Sequence, residues 1–510
     1  MAWWIITLIV IGAAVVLMAI RDLTQKKDPV LRTFPVAGRF RSLLGSAGPK
    51  LRQYIVASND EERPFSRDQR RWVYDTADKK SAYFGFGTDA DIDRDSHVII
   101  KHSVFPDTTP IGENAPVPCA KVLGEWRERP GKFRPESVVY VSAMSYGSLS
   151  GRAVEAINRG CDIAGALHNT GEGGIADHHR HGAGLMFQFG TGYFGCRNPD
   201  GSLSIGRLAE TAKSANVRCI EMKLSQGAKP GLGGVLPGKK VTAEIAEARG
   251  LPKGQTVYSP NRHTAFDSVD GMIDVIEQIA DATGLPVGIK SAVGQQGFWT
   301  ELAERMATRQ EGPDFITVDG GEGGTGAAPL AFSDHVSLPF RAGFARAYTP
   351  FVERDLHTEI VFGGSGRLGF PAEALLAFGL GVDMVGVARE ALLALGCIQA
   401  QRCHDGHCPT GITTHNRWLT RGLDPTDKAT RLANYLVSFR SELLKLSHAC
   451  GVVHPALVTA DMIEIFDQPH EWATAAELFG GSAESSSITG GQQEQLHEVM
   501  VELGHTASSH

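Results

Sequence analysis

Eight short apolar runs between Val138 and Glu390, each followed by a helical stretch, predict an α/β protein built on a (β/α)8 barrel. The runs are VVYVSAM (138–144), ALHNTGE (166–172), LMFQFG (185–190), CIEMKLS (219–225), VGIKSAVG (287–294), DFITVDGG (314–321), EIVFGGS (359–365) and MVGVARE (384–390). Their ends carry Gly, Lys, Glu and Asn, as expected of a fold whose strand C-termini hold the chemistry. A doubly wound open sheet alternates in the same way, but its glycine fingerprint is missing after the first run. Size and composition suit a large folded core: 510 residues, 42% hydrophobic and 21% charged.

The chain before the barrel divides in two. Trp3 to Ile20 is an uncharged run of eighteen residues, followed at once by Arg21, Lys26 and Lys27. That is near the shortest helix able to span a bilayer, so residues 1–21 are expected to form a transmembrane anchor. A signal peptide competes, but no basic stretch precedes the run and no small-residue cleavage site follows it. The positive flank lies C-terminal, which puts the body of the protein on the cytoplasmic side. From Arg21 to Trp72 twelve Lys and Arg stand against six Asp and Glu, a local +6 in a chain of net charge −7. Basic charge directly after an apolar run suits anionic lipid, and no nucleic-acid motif is visible. Residues 22–135 read as a lead-in or cap and residues 136–425 as the barrel. Residues 426–479 read as helices, with LANYLVSFRSELLKL apolar at helical spacing. Residues 480–510 read as a mobile Ser/Gly-rich tail with room for one short helix.

Two glycine-rich segments follow the sixth and seventh runs, GGEGGTG (320–326) and GGSGR (363–367). At the last strands of a barrel such backbone N–H groups hold a phosphate; a tight turn explains either segment taken alone. Lys223 and Lys290 stand inside apolar strands, where a lysine facing the lumen is costly unless paired. Each sits beside the electron-rich N1/O2 edge of a flavin or pairs with a buried carboxylate. In the loop Ser225–Gly238 the cation Lys229 is held by Pro230 and glycines. With Arg249 it could clamp a dicarboxylate, although a surface arginine is the plainer reading.

Cys397, Cys403 and Cys408 follow the eighth run at C-x5-C-x4-C spacing, closed by Pro409 and Gly411. Thiolates this dense repel one another unless something cationic holds them. Three readings stay open: an iron–sulfur cluster on three thiolates, a zinc site completed by His404 or His407, or three free thiols. The other five cysteines (119, 161, 196, 219 and 450) are scattered and read as small apolar core residues.

The motifs SAMSYGSLS (142–150), HNTGEGG (168–174), KLSQGAKPGLGG (223–234), LPGKKV (236–241), GGTGAAP (323–329) and GCIQAQRCHDGHCPTGI (396–412) carry a resemblance. Over residues 137–470 the chain resembles the FMN-binding synthase domain of glutamate synthase, and more closely the shorter FMN-binding glutamate synthase family proteins. The resemblance implies a TIM barrel holding FMN and a 3Fe-4S cluster ligated by Cys397, Cys403 and Cys408. It implies that electrons pass from cluster to FMN and that a hydride reaches 2-iminoglutarate, so that 2-oxoglutarate and ammonia give glutamate. By matching position Glu172 is the active-site carboxylate, with Lys229 beside it as a catalytic group. Lys229 and Arg249 bind the substrate carboxylates, and Ser150 lies in the substrate loop. Gln188 and Lys223 match FMN ring contacts, Gly324, Gly363 and Gly364 match phosphate contacts, and Met144, Ser145, Asn169 and Lys290 complete the cofactor-binding set.

Two departures bear on the substrate. Val235 stands where the family has a substrate-contacting Gln, and Ser259-Pro-Asn-Arg-His263 replaces an SPPPHHD-like stretch. Another keto acid or amine is therefore an open alternative. The resemblance includes no glutaminase domain, so free ammonia, another amine or a separate subunit is expected to bring the nitrogen. No NAD(P) fingerprint is present, so a ferredoxin-like protein, a flavoprotein subunit or the quinone pool is expected to bring the electrons. The competing class is a non-catalytic, membrane-tethered electron-relay subunit.

Overall fold

The computed structural model describes the chain except residues 1–2, 26–30, 32, 57, 82, 84, 86, 89, 237, 239–240, 468–470, 481–486 and 504–510. It divides into two compact units, Met1–Arg71 and Trp72–His510. In the first, helix α1 runs over Trp3–Thr24 and helix α2 over Gly38–Leu51. Among the described residues α1 is the one helix long and apolar enough to cross a membrane, a property that a signal sequence shares. Its side chains are mostly exposed. The exception is Asp22, buried near the end of α1, which accepts from the Val36 backbone N–H at 3.0 Å and from Arg39 Nε at 2.9 Å. That ion pair ties the end of α1 to the start of α2.

The second unit is built on a closed barrel of eight parallel strands. They are β1 Val139–Val141, β2 His168–Asn169, β3 Leu185–Phe189, β4 Val217–Lys223, β5 Val287–Ser291, β6 Phe315–Asp319, β7 Val361–Ser365 and β8 Met384–Val387. Each strand overlaps one of the eight apolar runs, in order. Val385 pairs with Val139 to join β8 to β1, and Val361 pairs with Phe315 to join β7 to β6. Parallel strands covered on both faces bury nearly every side chain, which is why their sequences are continuous apolar runs. Helix α3, Gly151–Ala164, follows β1; Ser150 caps its first turn, and Gly165 ends it in the left-handed region at φ 63°. Helix α4, Ala243–Arg249, starts at the cap Thr242, and the long helix α5, Pro425–Ala449, packs along α3.

The chain just before the first strand closes the amino end of the barrel. Cys119 and Leu123 pack against Tyr140, Met186, Phe315 and Met384 at the starts of the strands. Lys121 is buried at the same end, where its Nζ donates to the carbonyls of His357 (2.7 Å) and Ile360 (2.9 Å) and to Asp383 (2.9 Å). Arg129 pairs with Asp314 at 3.1 Å and Glu277 at 2.7 Å. Asp314 and Asp383 are the residues just before β6 and β8, so both contacts lie opposite the end where a barrel does its chemistry. The five scattered cysteines are buried and free, as expected. Within the expected tail, helix Gly490–Glu502 buries Leu496 and Met500, and residues 481–486 and 504–510 lie outside the described residues.

Candidate active site at the carboxyl end of the barrel

Glu172 follows β2, and its Oε1 accepts from Lys223 Nζ, at the end of β4, at 2.8 Å. Lys223 also donates to Gln226 Oε1 at 2.6 Å. Gly190, just past β3, makes room for the carboxylate: a Cβ there would run into Glu172 Oε2. Lys229 lines the same cavity, together with Thr191 and Gln226. Arg249, buried at the end of α4, donates from Nη2 to the Tyr146 carbonyl at 3.1 Å, lies 4.9 Å from the Phe194 ring centre, and leaves its buried Nε without a partner.

Burial pushes the Glu172 carboxyl up, but Lys223 and then Lys229 and Arg249 outweigh it and hold the group below the usual carboxylate range. Burial, followed by the charge of Lys223, lowers Lys229 against the pull of Glu172. Burial lowers Arg249. One ionised carboxylate against three cations leaves two positive charges at the site. That is the complement of a dianion.

Below this layer Glu221 lies in the barrel lumen, fully buried. It accepts from Asn169 Nδ2 at 2.8 Å, Gln188 Nε2 at 2.5 Å and Thr317 Oγ1 at 2.8 Å. Lys290 lies 3.7 Å from Asp319 Oδ1 and 3.4 Å from Ser142 Oγ. Both strand lysines are therefore paired with carboxylates at the mouth of the lumen.

The glycine turn after β6 and the glycines inside β7 are tight for a reason. A Cβ on Gly324 would lie 2.8 Å from Arg389 Cδ, and one on Gly363 would lie 2.9 Å from Thr317 Oγ1. Arg389 opens the short helix after β8, and Arg367 follows β7. Burial and, against the pull of Glu390, the charge of Arg367 hold Arg389 below its usual value. The two guanidiniums stand beside the glycine turn among the carboxylates of Glu390, Asp319 and Glu322, and Arg389 also donates to the Glu322 carbonyl.

The cysteine loop abuts this turn: a Cβ on Gly326 would lie 3.0 Å from the Cys403 carbonyl. Ser150 ties the loop down, its Oγ donating to the Gly411 carbonyl at 2.7 Å and its N–H to that of Ile412 at 2.8 Å. Ser150 is thus engaged by the loop and by its own helix cap. Cys408 Sγ lies 3.2 Å from Thr410 Oγ1; burial pushes its thiol up, and hydrogen bonds from Thr410 and Thr413 outweigh that. Among the described residues no three His, Cys, Asp or Glu side chains are gathered as a metal site.

The model of the conserved region in glutamate synthase matches residues 127–453. The glutamate synthase large subunit-like protein YerD of Bacillus subtilis is 35% identical over 486 residues, covering 88% of this chain and 92% of that protein. The chain belongs to the glutamate synthase family. Its members are oxidoreductases acting on CH–NH2 donors. The archaeal glutamate synthase (NADPH) of Methanocaldococcus jannaschii is 34% identical over 62% of this chain, which spans only 59% of that protein. A glutamate synthase large subunit-like protein of Rhizobium meliloti is 31% identical, over 62% of this chain and 72% of its own length.

The residues present fit FMN, and they match an iron–sulfur cluster in donor type, the three thiols not being gathered at one point among the described residues. For FMN the fit is a glycine cradle that any Cβ would fill, two guanidiniums beside it, and amide and lysine groups at the lumen mouth. For an iron–sulfur cluster it is the donor chemistry, three thiols of one short loop, of which Cys403 and Cys408 lie within each other's electrostatic field. Arg367, Arg389 and Glu221 are absent from the sequence-based set. Arg389 directly follows the eighth apolar run, where the barrel rule for phosphates points. Glu221 is an acid in an apolar strand, the same signal that singles out Lys223 and Lys290.

Proposed function

We propose that the chain is a membrane-anchored FMN and iron–sulfur oxidoreductase that reductively aminates 2-oxoglutarate to glutamate. The observation that carries this reading is the charge balance at Glu172, where Lys223, Lys229 and Arg249 leave two positive charges over. A substrate with two carboxylates meets that excess, and Lys229 and Arg249 would each take one. Glu172, held ionised, acts first as an acceptor. It holds the N–H of a protonated imine and keeps the proton on nitrogen, which leaves the imine carbon electrophilic. When bound, FMN supplies a hydride equivalent to that carbon and the cluster supplies single electrons. Met144, Ser145, Asn169, Gln188 and Lys290 would hold the flavin ring, Gly324, Gly363, Gly364, Arg367 and Arg389 its phosphate, and Cys397, Cys403 and Cys408 the cluster. The balance is 2-oxoglutarate, ammonia, two electrons and two protons to glutamate and water.

The exposed position of Cys403 suits a donor that meets the cysteine loop from outside, a ferredoxin-like protein or a separate subunit, with the quinone pool as alternative. Residues 1–21 would anchor the chain, with residues 22–135 as lead-in and the barrel of 136–425 on the cytoplasmic side. Val235, in place of the family's Gln, favours one second reading: the same reaction on a related keto acid or amine.

The test is anaerobic. Purified protein is reduced, mixed with 2-oxoglutarate and ammonium, and its flavin absorbance followed. The oxidised spectrum should return with glutamate formed, and Glu172→Gln should slow that return by about a hundredfold or more while flavin and iron content hold. A flavin that stays reduced with 2-oxoglutarate but reoxidises with another keto acid establishes the second reading. Unchanged turnover in Glu172→Gln removes Glu172 from the chemistry.

A further inference from the structure

Helix α2 carries an apolar face that stands open. Phe40, Leu43, Leu44, Ala47 and Leu51 fall at the spacing of one helical stripe. Phe40 is 62% exposed, Leu43 61%, Leu44 51% and Leu51 46%. A contiguous row of large apolar side chains so exposed marks an interaction surface. Lys50 flanks the row and Arg52 follows it, while Arg39 is committed to Asp22.

Three observations identify what covers it. The first is continuity. Asp22 holds the Val36 backbone N–H and the Arg39 guanidinium, so α2 starts where the apolar helix α1 ends. If α1 spans a bilayer, the start of α2 lies at the bilayer surface. The second is charge, since the segment from Arg21 to Trp72 carries twelve basic against six acidic residues. The third is local. Gly38, Gly45, Gly48 and Pro49 make α2 a poor helix in water, so it depends on a surface that takes up its stripe.

We propose that α2 is an interfacial helix that lies in the plane of the membrane, its Phe and Leu side chains among the upper acyl chains and its basic residues on anionic headgroups. This rests on the reading of α1 as a membrane span. α2 would then set the depth and tilt at which the chain leaves the bilayer.

The test uses the full chain in nanodiscs of phosphatidylcholine alone and of phosphatidylcholine with about a third phosphatidylglycerol. Amide hydrogen exchange is followed over residues 38–51. Exchange should be slower in the anionic discs than in the neutral ones, and the double variant Leu43→Asp/Leu44→Asp should speed it about tenfold in anionic discs. Slow exchange that ignores both lipid charge and the double substitution overturns the proposal, because the face is then covered by protein. Fast exchange in every disc overturns it as well. Carbonate washing of vesicles carrying the full chain reads α1 separately. A chain that resists washing while residues 38–51 exchange freely refutes the interfacial helix alone. A chain that washes off refutes the span and, with it, the proposal's premise.

Discussion

In the barrel lumen Glu221 accepts from three donors, and a carboxylate oxygen can only accept. The two amides must therefore turn their NH2 groups towards it. Asn169 spends its carbonyl oxygen on the Gly171 N–H at 3.0 Å, which leaves the Gln188 carbonyl as the acceptor offered to whatever lies at the lumen mouth. Glu221→Leu would leave all three donors facing an apolar side chain. Each buried donor left unpaired costs about 1–3 kcal/mol, and Gln188 is free to turn over. The expected outcome is a lower melting temperature together with weaker FMN binding, measured by fluorescence titration of the apoprotein. Equal FMN affinity in the variant and the parent would show that the orientation of Gln188 is irrelevant to the cofactor. Glu221 was present in the fourth apolar run but not legible as a hub. Its partners lie 33, 52 and 96 residues away, and spacing along the chain reports only neighbours.

All eight barrel strands could be read from sequence, because strands buried on both faces leave a continuous apolar signature between polar turns. The residues that fasten the chain before the first strand could not, because they matter through contacts with elements far along the chain. Lys121 is 262 residues from Asp383 and nothing local marks it. Burial raises the Asp383 carboxyl even though Lys121 pulls it down, so the lysine is what keeps the pair workable. Lys121→Met takes the lysine from Asp383, which keeps only its neutral donors such as the Phe362 N–H at 2.8 Å, and from the carbonyls of His357 and Ile360 at the closed end of the barrel. The expected loss is about 3–5 kcal/mol of unfolding free energy, read by urea denaturation. Lys121→Met with Asp383→Leu should recover part of it, since no buried charge is then left over. A single variant as stable as the parent would mean that the chain before the first strand is not fastened here.

Buried histidines held below their usual value, His168, His179, His263 and His357 among the described residues, make the stability of the whole fold depend on pH. Burial lowers His168 well below its usual value, with His179 adding to the shift; burial lowers His179 to about 4 and lowers His263 as well. His263 shows why the neutral ring is required. The Tyr193 hydroxyl accepts from the N–H groups of Thr264 and Ala265 and lies 3.2 Å from His263 Nδ1, so its proton goes to that nitrogen, while Nε2 lies 3.0 Å from the Lys223 carbonyl. An unfolded histidine takes up its proton near pH 6.5, and these folded ones only at lower pH. Between the two values the unfolded chain binds more protons, so stability must fall as the pH falls, by about 1.4 kcal/mol per pH unit for each histidine. Asp314, pushed up to about 6 mainly by burial, works the other way below that pH, because the folded state takes its proton first. The histidine slope should grow as the pH drops below about 6.5, and below about pH 6 Asp314 should offset about one histidine's share of it. His179→Gln removes one titrating group, so its unfolding free energy, measured in urea at a series of pH values, should fall less steeply than the parent's over this range. Parallel curves for the two proteins would mean that His179 is as easily protonated folded as unfolded, and the acid sensitivity would then have to come from the other buried histidines and the carboxylates.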